Sequence, residues 1–273
     1  MTKTTMFAGP FGEIAVHESE GAGRPIVLIH GNSCSARAFS RQLEGPLGAS
    51  YRLVAIDLMG HGCSADAKDP AAYLLSGHAR SLVAMLTARG IEDSILVGWS
   101  LGGHILLEAA PDLAAARGLM IFGTPPIGFP PAMDKAFLPS PAMQVAFTPE
   151  ITPETAKTYV AAFFAPGFAD VPPFFLEEAM RTDGIARAQV VASLDPAVTR
   201  DEVEIAAALK MPLAILHGAR EQLVNGAYFE SLKLPTLWRG AVQVIADAGH
   251  APQWERADEF DALLRAFAAD CRS

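Results

Sequence analysis

The sequence is short of several things whose scarcity narrows what it can be. Its 273 residues include only three cysteines, Cys34, Cys63 and Cys271, an odd number at spacings that fit neither a metal knuckle nor a redox CxxC pair. We therefore expect free thiols, with Cys34 and Cys63 as small buried fillers. Charged residues make up 19%, with 21 Lys and Arg against 30 Asp and Glu, a net charge of −9 and no basic run. Such a field repels phosphate backbones, so no nucleic-acid partner is expected. No stretch offers about 18 uncharged apolar residues, and the N-terminal segment lacks the apolar core and cleavage site of a secretory leader. The expectation is a soluble, cytoplasmic protein that does not enter a membrane. There is no GxGxxG after a strand, no GxxxxGK and no HExxH, which leaves dinucleotide binding, nucleotide hydrolysis and zincin chemistry unsupported. We expect no cofactor and no metal.

Apolar material is abundant: 51% of residues are hydrophobic and 15 are Phe. A chain of this length can bury a large core without staples. Strand-length apolar runs alternate with helix-length periodic segments up to about residue 124, the pattern of a parallel sheet covered by helices. The expected strands are 13–18, 25–30, 52–56, 94–98 and 118–123, with helices at 36–47, 73–89 and 101–110. The alternation resumes with strands at 212–217 and 241–246 and a closing helix at 252–271. Between them no strand pattern occurs, while 11 of the 20 prolines fall in 125–173 and 8 of the 15 phenylalanines in 129–175. We read 1–124 and 209–273 as one α/β core and 125–208 as an inserted helical cap over the loops that follow the strands, where open parallel sheets bind ligands.

The chemistry concentrates after the strand 94–98. Gly98-Trp99-Ser100-Leu101-Gly102-Gly103 runs straight into a helix-like segment. GxSxG alone is a short pattern that arises by chance, but a strand before it and a helix after it make a sharp elbow that projects the Ser100 hydroxyl. A serine needs a base, and histidine has the proton affinity for the task. Of the seven histidines, His30 and His217 precede glycines in turns, His61 lies in a GHG turn, His104 rides the helix after the elbow, and His17 and His78 carry no motif. His104 and Glu108 at helical spacing could touch one ligand, though such pairs are usually structural. His250, in a loop opening the final helix, is the expected base. An acid must fix its tautomer. Glu221, in the loop after strand 212–217, is preferred over Asp247, which is too close in sequence, and over Asp57, which is better placed to hold its own turn. An oxyanion needs N–H donors, for which Leu101, directly after the serine, and Asn32, after strand 25–30, are the candidates.

The order Ser100, Glu221, His250, together with His30-Gly31 and GWSLGG, resembles the α/β-hydrolase superfamily over nearly the whole chain. The resemblance implies an α/β-hydrolase fold, a mostly parallel central sheet flanked by helices with an inserted helical cap. The segments IHGNSCSARAF, QLEGPLG, GWSLGGHI, GLMIFGTPP, RTDGIAR and AGHAP look like the serine-dependent N-acyl-homoserine lactonases of that fold, which are quorum-quenching enzymes. This implies Ser100 as nucleophile, Glu221 as acid, His250 as base, Asn32 beside the oxyanion, and Tyr159 hydrogen-bonding the lactone. Tyr159 has a second reading, as an aromatic packing inside the cap. Trp99 and the cap residues Phe137 and Phe163 are expected to touch substrate, with Phe147, Phe164, Phe174 and Phe175 adding apolar surface for an acyl tail. The expected partner is a small ester or lactone with an apolar acyl chain, acted on by a monomer or homodimer. Two alternatives stay open, an esterase or related acyl hydrolase using the same residues, and a slow or non-catalytic receptor on a hydrolase fold.

Overall fold

The computed structural model describes residues 2–271. Eight strands form one sheet: β1 (Lys3–Ala8), β2 (Glu13–Glu18), β3 (Ile26–Ile29), β4 (Leu53–Ile56), β5 (Ile95–Trp99), β6 (Gly118–Phe122), β7 (Leu213–Gly218) and β8 (Gln243–Ile245). Their spatial order is β1-β2-β4-β3-β5-β6-β7-β8. The pairs β1–β2 and β2–β4 are antiparallel, and every pair from β4 to β8 is parallel. The seven expected strands are present, one of them (Glu13–Glu18) with both ends as expected and the others displaced by at most two residues at an end. β1 was not expected. Its Lys3, Thr4 and Met6 are exposed at the sheet edge, so it lacks the apolar run that marks the buried strands.

Strand side chains alternate between two apolar layers, as the two-residue period requires. Leu28, Val97 and Phe122 face one layer and Val27, Leu96 and Ile121 the other. The second layer is covered by helices α1 (Leu75–Arg89) and α2 (Leu101–Ala109), with Leu82, Leu86, Ile105 and Leu106 buried against it. The expected helix 36–47 is in fact a 3-10 turn (Ala36–Phe39) and two short helices (Ser40–Leu43 and Pro46–Ser50). The break falls at Gly45-Pro46, where Gly45 is extended and Pro46 supplies no N–H to continue the helix. The closing helix is likewise split, into Pro252–Glu255 and a long Ala257–Asp270 helix whose Phe260, Leu264 and Phe267 join the first layer. Glu255 in the short piece accepts from the N–H of Ala165 and of Gly249, so that piece follows the loop before it instead of the helix after it.

Between β6 and β7 the chain is helical, including α3 (Pro153–Ala161), α4 (Pro173–Arg181), α5 (Gly184–Ala192) and α6 (Glu202–Ala208). Threonines 152 and 155 form a capping box at α3, and the Asp183 and Asp201 carboxylates cap α5 and α6. The buried Arg187 of α5 donates to the carbonyls of Thr148, Pro149, Ala179 and Thr182, tying the 148–149 stretch to the end of α4. The two ends of the segment meet at a neck: the Glu202 N–H donates to the Ile127 carbonyl, the Ile127 N–H donates to the Glu202 carboxylate, and the Phe129 N–H donates to Asp201. Below that neck α6 packs against α2 and leads the chain into β7. No helix among the described residues is long and apolar enough to cross a membrane.

Candidate active site

Ser100 joins β5 to α2 at φ 53° and ψ −118°, a left-handed backbone that a serine adopts only where its surroundings enforce it. The enforcement is visible. The Ser100 N–H donates to the Phe122 carbonyl at 2.8 Å, and the Thr124 hydroxyl donates to the Ser100 carbonyl at 2.8 Å. Glycine is required on both sides by close backbone approach. A Cβ at Gly98 would stand 2.6 Å from the Gly102 carbonyl, and one at Gly102 would stand 2.2 Å from the Ile29 carbonyl oxygen.

The loop after β8 brings His250 beside this elbow, and the loop after β7 brings Glu221 beside His250. The His250 Nδ1–H donates to Glu221 Oε2 at 2.8 Å, with both side chains 3% exposed. Glu221 Oε1 accepts from the N–H groups of Gln222 and Leu223. Burial pushes the Glu221 carboxyl up, but His250 and these N–H groups outweigh it and hold the acid below its ordinary range. With the proton held on Nδ1, Nε2 of His250 is the nitrogen left for other chemistry. Ser100 and His250 line one cavity of about 100 Å³. Gly123, at φ 61°, leaves room for the imidazole, since a Cβ there would lie 2.6 Å from the ring.

Asn32 and Leu101 line the same cavity. Leu101 is the first residue of α2, where N–H groups have no acceptor within the helix and point outward. The Asn32 side chain is buried, its amide donating to the Ala146 carbonyl while its oxygen accepts from the Ser33 hydroxyl. That commits the side chain to bracing the loop against the helical segment. The buried Tyr159 also lines the cavity, its hydroxyl 3.5 Å from the Asn32 carbonyl and its ring edge-on to Phe163. Phe137 and Phe147 lie on the cavity wall, together with Ile127, Met143 and Leu223.

Trp99 and Phe163 are placed differently from expectation. Neither is on the wall; they pack edge to face at 5.5 Å, and the Trp99 indole N–H donates to the His250 carbonyl at 2.7 Å. Phe174 and Phe175, stacked on each other and turned by α4 toward the first apolar layer, meet Trp254 edge to face, and Phe164 meets Phe175 edge to face. Cys63 is exposed rather than buried; Cys34 is buried as expected. Asp57 holds its own turn, accepting from Ala36, Cys63 and His17, while Asp247 is exposed. His30 is consumed by Gly31 and Leu58, while His61 bonds the Met59 carbonyl through Nδ1 and keeps a buried Nε2 without a hydrogen-bond partner. His104 does not pair with Glu108. It donates to Glu202 at 2.9 Å, while Glu108 accepts from the Arg200 N–H. The polar wall formed by His104, Thr199, Arg200 and Glu202 escaped sequence reading because its halves are about a hundred residues apart and share no motif.

The sequence pattern of the alpha/beta hydrolase family matches residues 26–263. A structure of the N-acyl homoserine lactonase AidH, complexed with N-butanoyl homoserine, superposes with a TM-score of 0.95 at 36% identity, covering 99% of this chain and 98% of that one. The pimeloyl-[acyl-carrier protein] methyl ester esterase of Stenotrophomonas maltophilia is 29% identical over 266 residues, 92% of this chain and 95% of that protein. The dihydrolipoyllysine-residue acetyltransferase component of the acetoin cleaving system of Cupriavidus necator is 28% identical over 254 residues, and the match spans 63% of that protein's length. On the family pattern, the parallel sheet and the strained elbow together, this chain belongs to the alpha/beta hydrolase family.

Proposed function

We propose that the protein is a serine hydrolase that opens the lactone ring of N-acyl homoserine lactones, and so acts in quorum quenching. The observation that carries this reading is the likeness, along 99% of the chain, to a lactonase crystallised with a ring-opened acyl homoserine. Ser100 is the nucleophile, His250 the general base and Glu221 the acid that orients it. His250 Nε2 takes the hydroxyl proton as Ser100 Oγ bonds to the lactone carbonyl carbon. The oxyanion is held by the N–H groups of Leu101 and Asn32. Collapse breaks the ring C–O bond, and the imidazolium returns its proton to the homoserine oxygen, leaving an acyl-enzyme. Water, deprotonated by the same imidazole, attacks the ester carbonyl; Ser100 leaves with the proton, and the free acid is released. Tyr159 steadies the lactone, the apolar wall of Phe137, Phe147 and Met143 takes the acyl tail, and the helical segment after β6 serves as the cap.

The esterase relative favours a second reading, in which the same residues hydrolyse an acyclic ester and lactone opening is incidental. Comparing kcat/KM for acyl homoserine lactones with that for p-nitrophenyl esters of matched acyl length decides between them. A lactone preference supports the first reading, and an ester preference with negligible ring opening overturns it. Failure of a fluorophosphonate to label Ser100 would leave a receptor as the reading to pursue.

A further inference from the structure

The cavity is apolar over most of its wall, yet on the α2 side it carries polar groups whose hydrogen-bonding capacity is not used up. Thr199 is 8% exposed and lines the cavity, and its hydroxyl has no hydrogen-bond partner. A buried hydroxyl without a partner is costly, so its retention calls for a ligand group. His104 lines the same wall one turn along α2 from Ser100. Its Nδ1–H is committed to Glu202, whose carboxylate also accepts the Ile127 N–H. That pairing fixes the tautomer, turning the lone pair of Nε2 away from Glu202. The neighbouring Arg200 is occupied elsewhere, donating to Glu108 and Asp112.

The geometry points to a polar subsite, formed by the Thr199 hydroxyl and His104 Nε2, that selects acyl chains bearing a hydroxyl group. A hydroxyl satisfies both partners at once: its oxygen accepts from Thr199 and its hydrogen is donated to His104. A keto oxygen can accept from Thr199 but offers His104 nothing, and a methylene satisfies neither. One helical turn rises about 5.4 Å, a reach of about five bonds, and in an acyl homoserine lactone carbon 3 of the acyl chain lies about five bonds from the ring carbonyl that Ser100 attacks, so the first acyl carbons beyond the amide are the ones in reach. This deepens the lactonase reading and rests on it for the acyl-homoserine part of the substrate only.

The test uses acyl homoserine lactones of one chain length carrying a hydroxyl at carbon 3, 4 or 5, an oxo group at the same carbons, or no substituent. The same substituent series is assayed in parallel as p-nitrophenyl esters, with the hydroxyl or oxo group moved three carbons further out so that it stands the same number of bonds from the attacked carbonyl as in the lactones. For the best-placed hydroxyl, kcat/KM should exceed that of the unsubstituted chain by about tenfold, roughly the worth of one to two neutral hydrogen bonds, with the oxo compound between them. T199V should bring the ratio close to one while leaving the melting temperature unchanged or higher, since it removes an unpartnered buried hydroxyl. T199S should restore the ratio. H104Q, which keeps a donor toward Glu202, should lower it. A native ratio near one at every position, or a ratio that survives T199V, overturns the subsite. If only the esters turn over, the lactonase reading fails while the ratio on the esters still decides the subsite; if neither series turns over, both fail.

Discussion

Ser100 sits in a backbone conformation that costs on the order of 1–3 kcal/mol for a side-chain-bearing residue, held there by Phe122 and Thr124. Replacing it with alanine keeps the strained backbone but removes the oxygen. S100A should therefore fold with unchanged circular dichroism and melting, while kcat on any acyl substrate falls by several orders of magnitude. Turnover persisting in that variant would exclude Ser100 as nucleophile. Glu221 acts through a contact that depends on charge. E221Q keeps the shape but offers His250 a neutral amide, which can also turn its N–H₂ toward the ring and disturb the tautomer. A loss in kcat on the order of 10³ or more is expected, with KM changed far less. At this scale the local geometry was legible in the sequence: the flanking glycines of Ser100 mark the strained elbow, and the positions of His250 and Glu221 in loops after strands bring the two side chains into contact. Trp99 was legible only as a neighbour of Ser100. That its indole braces the His250 carbonyl depends on a partner 151 residues away, and no local pattern encodes it.

The elements succeed or fail by how closely backbones approach. At Gly102 a methyl group would enter the Ile29 carbonyl from 2.2 Å, and both β3 and α2 are fixed by their neighbours, so neither can yield. G102A should give little folded protein, or protein whose urea midpoint and activity fall together; a stable, active G102A would show that the elbow can relax. In the helical segment, Arg187 is the tie. R187M preserves most of the side-chain volume but strands four carbonyls, and a loss of at least about 3 kcal/mol in unfolding free energy is expected. Strands in the sheet interior were readable because burial on both faces makes them continuously apolar. β1 was not, since an edge strand faces water and its residues 3–8 mix lysine, threonine and methionine. The phenylalanines illustrate a different limit. Composition told that residues 129–175 would be rich in aromatic surface, but which rings face the cavity depends on helix rotation, and only Phe137 and Phe147 of those named turn toward it.

Over the whole molecule, a cluster of buried histidines couples stability to pH. Burial pushes His30 and His61 down, and His78 down to about 3, despite the nearby Asp57 that favours charge on the first two. An unfolded chain binds protons on these side chains near pH 6.5, and the folded chain does not. The unfolded state therefore binds more protons as pH drops below that value, and stability falls with it, by up to about 1.4 kcal/mol per pH unit for each histidine that stays neutral. Asp57, held below its ordinary range chiefly by His17 against the opposing effect of burial, adds a further loss as pH falls through the carboxylate range. The urea midpoint should be level above pH 7 and decline steadily from pH 6.5 to 5; a flat profile there would mean that the cluster takes up protons without unfolding. The layered α/β plan was readable from alternating patterns, whereas this cluster was not, because His30, His61 and His78 come from separate elements and meet only in three dimensions. The clasp between Ile127 and Glu202 has a consequence for how such a protein diversifies. Everything from 128 to 201 leaves and returns through one hydrogen-bonded gate, while α6 alone completes the crossover from β6 to β7. Swapping that excursion for the corresponding stretch of another hydrolase should leave the sheet and the elbow in register, while the incoming stretch has to supply again the N–H that Ala165 gives Glu255 and the carbonyl that Ala146 gives Asn32, so new substrate preferences can be grafted only together with the two braces that hold the His250 and Asn32 loops.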